Sequence, residues 1–202
     1  MLDAEGRESP LARFDLAARA VRSSDDAGVI AREYAFLGHI NLRGDAQDPR
    51  FVGVVGTVLG GDLPVAPNSV NDAQGNVAYW LGPDEWLIVT LGEHRAMIEN
   101  ELRTALASLH CAVTDVSGGQ TVVHLRGTRV RELLAKGCPI DLNPRAFGIG
   151  QCAQSHLAKA PILIGQIENQ PCFEIIVRRS FADYFWLWLE DAAAEYGFAV
   201  TA

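Results

Sequence analysis

The sequence predicts an α+β fold of two similar halves, each an antiparallel sheet with helices on one face. Short apolar runs of strand length come in pairs, bounded by clusters of Gly, Pro, Asn and Asp. After each set of strands the apolar spacing changes to three or four residues, as in a helix lying on a sheet. The third observation is bulk: 202 residues, 49% hydrophobic and 21% charged, suffice for one large domain or two small halves.

Residues 1–28 are polar and alanine-rich and predict an extended arm with a short helix at best. Ser9-Pro10-Leu11 favours an extended start, because the residue before proline avoids the αR region. Such an arm either packs on a partner or stays in solvent. Val29–Tyr34 and Phe36–Leu42 predict a strand pair. Asp48 is then an N-cap and Pro49 suits the first helical position. Phe51, Val52, Val55, Val58 and Leu59 fall at helical spacing, and Gly60-Gly61 is a natural stop. Gly53 and Gly56 weaken the propensity of this helix, so packing must hold it. Leu63–Asn76 predicts loop; Val77–Leu81 and Trp86–Leu91 predict strands around Gly82-Pro83-Asp84. A helix over 93–109 gathers Met97, Ile98, Leu102, Ala105, Leu106 and Leu109 on one face.

The second half repeats that order. Ala112–Val116 and Gln120–Leu125 predict strands joined by Ser117-Gly118-Gly119, whose glycines would supply positive φ for a hairpin turn. Thr128 is placed to cap a helix over Arg129–Lys136 that Gly137 stops, and Cys138–Ile149 predicts loop. Gln151–Ala158, Pro161–Ile167 and Cys172–Val177 predict three strands. Ser180 then precedes a helix with the period Phe181, Tyr184, Phe185, Trp188, Leu189, Ala192, Ala193, Tyr196. The expected organisation is an arm over 1–28, a first half over 29–110 and a second over 111–202, alike in element order only.

A formal net charge of −8 argues against nucleic acid and against anionic membrane surfaces, which need clustered Lys and Arg. The apolar runs are strand-sized, too short to cross a bilayer, and the N-terminal residues, with Asp3, Glu5 and Glu8, hold no apolar signal core. Cys111, Cys138, Cys152 and Cys172 form no C-x-x-C pair, so a zinc knuckle is not expected and reduced, buried thiols are. Only Cys138, near Lys136, has the cationic neighbour a reactive thiol needs.

No constellation points to catalysis. The five histidines, His39, His94, His110, His124 and His156, are scattered and make no metal-binding spacing. His124 sits between Val123 and Leu125 and predicts a half-exposed strand position. Ser117-Gly118-Gly119 is neither a nucleophile elbow nor a phosphate loop, and no G-x-G-x-x-G opens a helix. Asp84-Glu85 follows Pro83, where acids serve the turn, and Asp191 is a second acid beside an apolar element. The arginines Arg178-Arg179, and Arg126, Arg129 and Arg131, surround strand–helix turns. Each group either pairs a partner's carboxylates or is solvated surface. Of the four tryptophans, Trp80, Trp86, Trp186 and Trp188, the last fits the stripe of its helix and leaves Trp186 on the flank. A flanking tryptophan serves an interface or a peripheral internal contact.

Five blocks then carry a family resemblance: LGPDEWLIV (Leu81–Val89), TDVSGGQTVVHLRG (Thr114–Gly127), LLAKGCPIDLNP (Leu133–Pro144), FGIGQCAQSHLAKAPILI (Phe147–Ile164) and FEIIVRRSFADYFWLWL (Phe173–Leu189). With the start Ser9-Pro10-Leu11-Ala12, they resemble the gamma subunits of heterotetrameric sarcosine oxidases, in order and over nearly the whole chain. The resemblance implies two ferredoxin-like α+β halves related to the folate-binding domain of aminomethyltransferases. It also implies a cytoplasmic complex of alpha, beta, gamma and delta subunits, with alpha in direct contact. That complex oxidises sarcosine with O2 to glycine and hydrogen peroxide, passing a one-carbon unit to tetrahydrofolate as 5,10-methylenetetrahydrofolate. FAD and FMN belong to beta and its border with alpha, NAD and folate to alpha, and zinc to delta.

Aminomethyltransferases carry a glycine pair followed by paired acids at the folate site; Gly82-Pro83-Asp84-Glu85 departs from it. Lys136-Gly137-Cys138 begins like the Lys-Gly-Cys-Tyr motif of folate-fold iron–sulfur repair proteins, but Pro139 and Ile140 break it. No catalytic, cofactor-binding or metal residue is therefore carried over. The expectation is a non-catalytic structural subunit with Ser9, Pro10, Leu11, Trp186, Arg178 and Arg179 at its interface. The alternative is a stand-alone folate-binding protein or one-carbon (aminomethyl) transferase-like protein, resting on fold analogy.

Overall fold

The computed structural model describes residues 6–20, 27–168 and 171–201. Among them the strands are β1 (Val29–Tyr34), β2 (Gly38–Arg43), β3 (Val70–Ala73), β4 (Asn76–Gly82), β5 (Glu85–Thr90), β6 (Ala112–Asp115), β7 (Gln120–Arg126), β8 (Gln151–Leu157), β9 (Ala160–Gln166), β10 (Cys172–Arg178) and β11 (Phe198–Val200). The helices are α1 (Leu16–Arg19), α2 (Pro49–Leu59), α3 (Arg95–Ala105), α4 (Val130–Ala135) and α5 (Ala182–Ala193). The α+β class expected from the sequence holds.

Two compact units divide the chain, and their segments alternate along the sequence. One takes Met1–Phe36, Gly118–Ile149 and Gln154–Ala202; the other takes Leu37–Ser117 and Gly150–Ala153. The expected cut at 110/111 is thus not where the sheets part. β1 and β2 are not a hairpin: β1 lies in a six-stranded sheet of order β11-β1-β7-β10-β9-β8, and β2 in a five-stranded sheet of order β3-β4-β5-β2-β6. The link between them has no hairpin turn signal, and Phe36 adopts a left-handed φ of 64°. β6 and β7 part in the same way. Ser117–Gly119 is one 3-10 turn, and neither Gly118 nor Gly119 has positive φ, so the expected glycine hairpin is not formed.

In the five-stranded sheet α2 and α3 supply one apolar layer. Phe51, Val55 and Leu59 of α2 and Ile98 and Leu102 of α3 pack with Ile40, Leu42, Ala78, Trp86, Ile88 and Val113. The α2 signals act as expected: Asp48 Oδ1 accepts from Arg50 N at 2.9 Å, and Gly60 ends the helix at a φ of 81°. Met97, expected on the apolar face of α3, is exposed instead. The expected loop over 63–76 hides β3, which pairs antiparallel with β4. Its sequence, Val-Asn-Asp-Ala, has polar residues where β-propensity would be read, and pairing overrides it.

The six-stranded sheet contains one parallel pair, β1 with β11, with Val29 opposite Phe198. β11 escaped the sequence reading because three residues carry too little periodicity. Val123, Leu125, Phe173 and Ile175 are fully buried, as are Val130, Leu133 and Leu134 of α4. The buried stripe of α5 is Ala182, Phe185, Trp186, Leu189 and Ala193, rotated from the expected one, and leaves Tyr184 exposed. Neither Thr128 nor Ser180 caps its helix: the residues before α4 and α5 are Arg129 and Phe181, without side-chain caps. Gly137 is needed for a close approach, since a Cβ there would lie 2.6 Å from the Trp188 ring.

Candidate functional site

The expected interface residues at the start of the chain are held by the chain's own six-stranded unit. Ser9 Oγ donates to both carboxylate oxygens of Glu33, at 2.7 and 2.6 Å, and accepts from Leu11 N at 3.1 Å. Thr121 Oγ1 donates to Glu33 Oε1 at 2.8 Å. Two hydroxyls thus satisfy a half-buried carboxylate, and the chain turns so that Leu11 is 0% exposed. Pro10 is half-buried.

From there the arm follows the start of α5 and then its length. Arg179 Nη2 donates to Glu8 O at 3.0 Å, Arg13 meets Asp183 at 3.0 Å, and Arg19 meets Glu190 at 2.5 Å. Phe14 lies against Trp186 with ring centroids 6.0 Å apart. The arm, expected to be extended with a short helix at best, holds a 3-10 turn over Ala12–Phe14 followed by the short α1. Trp186 is not on the flank of its helix. It is 0% exposed, between Phe14 and Phe198, with Nε1 donating to Glu190 Oε1 at 2.6 Å. Trp188 is only half-buried, so the two tryptophans exchange the positions expected of them. Arg178 and Arg179 are both exposed.

The face of the six-stranded sheet carrying Arg32 and His124 gathers a cluster the sequence did not reveal. Arg32 of β1 lies opposite His124 of β7, which lies opposite Glu174 of β10. One row along, Ile30 lies opposite Arg126 and Arg126 opposite Cys172. Arg32 stacks over Tyr34 at 4.4 Å, Tyr34 lies 4.2 Å from the His124 ring, and His124 Nε2 is 2.5 Å from Glu174 Oε1. A cavity of about 150 Å³ opens here, lined by Arg32, Tyr34, His124, Arg126, Glu168 and Cys172 among others. A larger trough of about 500 Å³, lined in part by Ala12, Leu16, Ala17 and Ala35, shares Arg32, Tyr34 and Thr201 with it. Period-two alternation around His124 was the one available signal; only register brings the other residues beside it.

Arg131 has a structural task. It is half-buried, lies 4.8 Å from the centroid of the Phe173 ring, and donates to the Leu142 carbonyl and, at 2.9 Å, to Gln166 Oε1. Burial lowers its pKa. It thereby ties down the loop after α4. In the other unit His39 is 1% exposed; its Nδ1 bonds the Leu37 carbonyl at 3.1 Å and its Nε2 has no partner among the described residues. Burial pushes its pKa down to about 4. Burial also pushes the Cys152 thiol up to about 12 and the Cys172 thiol up to about 11, which disfavours the thiolate of each. Cys138 is buried, with Sγ 3.9 Å from Ser155 Oγ. No His, Cys, Asp and Glu cluster able to hold a metal ion occurs among the described residues, and no helix among them is long and apolar enough to cross a membrane.

Comparison with known proteins places this arrangement in a family. Residues 43–195 match the sarcosine oxidase, gamma subunit family. The chain is 32% identical over 197 residues to the sarcosine oxidase subunit gamma of Corynebacterium sp. (strain U-96), covering 97% of this chain and 94% of that protein. It is 33% identical to the corresponding subunit of Corynebacterium sp. (strain P-1), covering 89% and 87%. Among solved structures it is similar to a chain of the heterotetrameric sarcosine oxidase from Corynebacterium sp. U-96 in complex with pyrrole 2-carboxylate. That similarity has a TM-score of 0.84 and 31% identity, covering 97% of this chain and 99% of the other. The glycine cleavage system aminomethyltransferase T from Bartonella henselae shares the fold, with a TM-score of 0.68 at 14% identity over 95% of this chain and 58% of that one. With both units matched and the expected blocks lying in order along them, the chain belongs to the sarcosine oxidase gamma subunit family.

Proposed function

We propose that this chain is the gamma subunit of a heterotetrameric sarcosine oxidase and serves it as a structural, non-catalytic component. The observation that carries this is the end-to-end match to a chain of such a complex, at 31% identity and a TM-score of 0.84. The missing folate-site and repair motifs are in keeping with it. Alpha, beta and delta subunits are its partners, with alpha in direct contact, in a cytoplasmic complex. That complex oxidises sarcosine with O2 to glycine and hydrogen peroxide and delivers the one-carbon unit to tetrahydrofolate. FAD, FMN, NAD, tetrahydrofolate and zinc sit on the other subunits.

The test is native affinity purification of the chain from its own cell, followed by mass spectrometry and a visible absorption spectrum. Larger partner subunits with a flavin spectrum are expected. A colourless, solitary protein that saturably binds tetrahydrofolate would overturn the proposal in favour of a folate-binding protein.

A further inference from the structure

Several surface guanidinium groups of this acidic chain have a carboxylate of their own, while Arg32, Arg126, Arg145 and Arg178 have none among the described residues. Arg13 pairs with Asp183, Arg43 with Glu85, Arg95 with Asp115 and Arg129 with Glu132. Arg32 and Arg126 are exposed, and neither forms an ion pair among the described residues. They stand on adjacent strands as diagonal neighbours on one face and line the same cavity. His124 and Glu174 bond one another in the same cross-strand row as Arg32. That leaves two uncommitted guanidinium groups facing one exposed carboxylate, Glu168, around the same cavity.

The adjoining trough decides what kind of anion fits. It is more than three times the volume of the notch, and alanine and leucine line it beside Ser9, the exposed Asp15 and Glu33, whose carboxylate Ser9 and Thr121 already hold. A free inorganic ion would leave it empty. A polypeptide with an acidic side chain beside an apolar one fills both.

We propose that this notch and trough receive a segment of a partner subunit, an Asp or Glu between Arg32 and Arg126 and an apolar neighbour against Leu16 and Ala35. This rests on the reading of the chain as an oxidase subunit. Tyr34 and His124 form the floor that holds the Arg32 guanidinium in place, a positioning role.

The experiment is reconstitution of the full-length chain with the other subunits, with affinity read by native mass spectrometry and size-exclusion chromatography at low and high salt. Arg32→Glu combined with Arg126→Glu should weaken assembly at least tenfold at low salt and less at high salt. Glu168→Gln should strengthen it about twofold by removing a repelling charge. If the double reversal lowers the unfolding midpoint, Arg32→Gln with Arg126→Gln replaces it, with at least threefold weakening expected.

Unchanged affinity in a folded variant, or weakening by Glu168→Gln, overturns the proposal. So does acetate raising the unfolding midpoint of the isolated chain in an Arg126-dependent way while assembly is indifferent, since the notch then takes free carboxylates. Failure of the unaltered chain to assemble at all instead overturns the subunit reading itself.

Discussion

Arg131 shows how position decides whether a charge faces outward or inward. Its neighbours Arg126 and Arg129 are exposed, whereas Arg131 donates to a backbone carbonyl of the 138–149 loop and to Gln166. Arg131→Met keeps most of the stem but strands those acceptors. It should cost about 1–3 kcal/mol in urea unfolding, with faster proteolysis in that loop. His39 makes a pH prediction. Its folded pKa is near 4 against an ordinary 6.5, because burial favours the neutral ring. The unfolded chain therefore takes up the proton first as pH falls. The contribution of His39 is full above pH 6.5, declines between 6.5 and 4, and changes no further below, a loss on the order of 3 kcal/mol from this group. Unfolding midpoints measured across that window should slope for the native chain and flatten for His39→Gln.

At the scale of elements, the arm and α5 act as one body. Leu11 is sealed in, Ser9 holds Glu33, and three polar contacts fasten Glu8, Arg13 and Arg19 along the helix or just before it. Leu11→Ala should destabilise the chain by about 2–4 kcal/mol, read as a lower urea midpoint, because it empties a fully closed site. An arm floating in solvent would show no change. Elements with local signals were legible in the sequence. Asp48, Pro49 and Gly60 bounded α2, and strand-length apolar runs located β4, β5, β9 and β10. What escaped was set by distant partners. β3 and β11 exist because neighbours complete their hydrogen bonds, and Trp186 is buried because Phe14 and Phe198 arrive from the two ends of the chain. The Arg32–His124–Glu174 row is invisible for the same reason, since residues from three strands meet only once register is fixed.

For the whole molecule, the family assignment makes assembly the property to measure. Deleting residues 1–12 should weaken entry into the complex, and the docked arm adds that the truncated chain should also unfold at lower denaturant. The flavin spectrum of whatever complex does form should be unchanged. A truncated chain that assembles with full affinity would remove the arm from that role. The alternation of the two units along the sequence bears on how the protein is made. A ribosome releases the chain from the N-terminus at roughly 5–20 residues per second. β1 therefore emerges before both of its neighbours and must await β7 on one side and, later still, β11 on the other. The strands of the five-stranded sheet all lie between β1 and β7 in the chain and can pair first. Synthesis thus leaves β1 for a time with an unpaired edge, the kind of backbone row to which another strand can add.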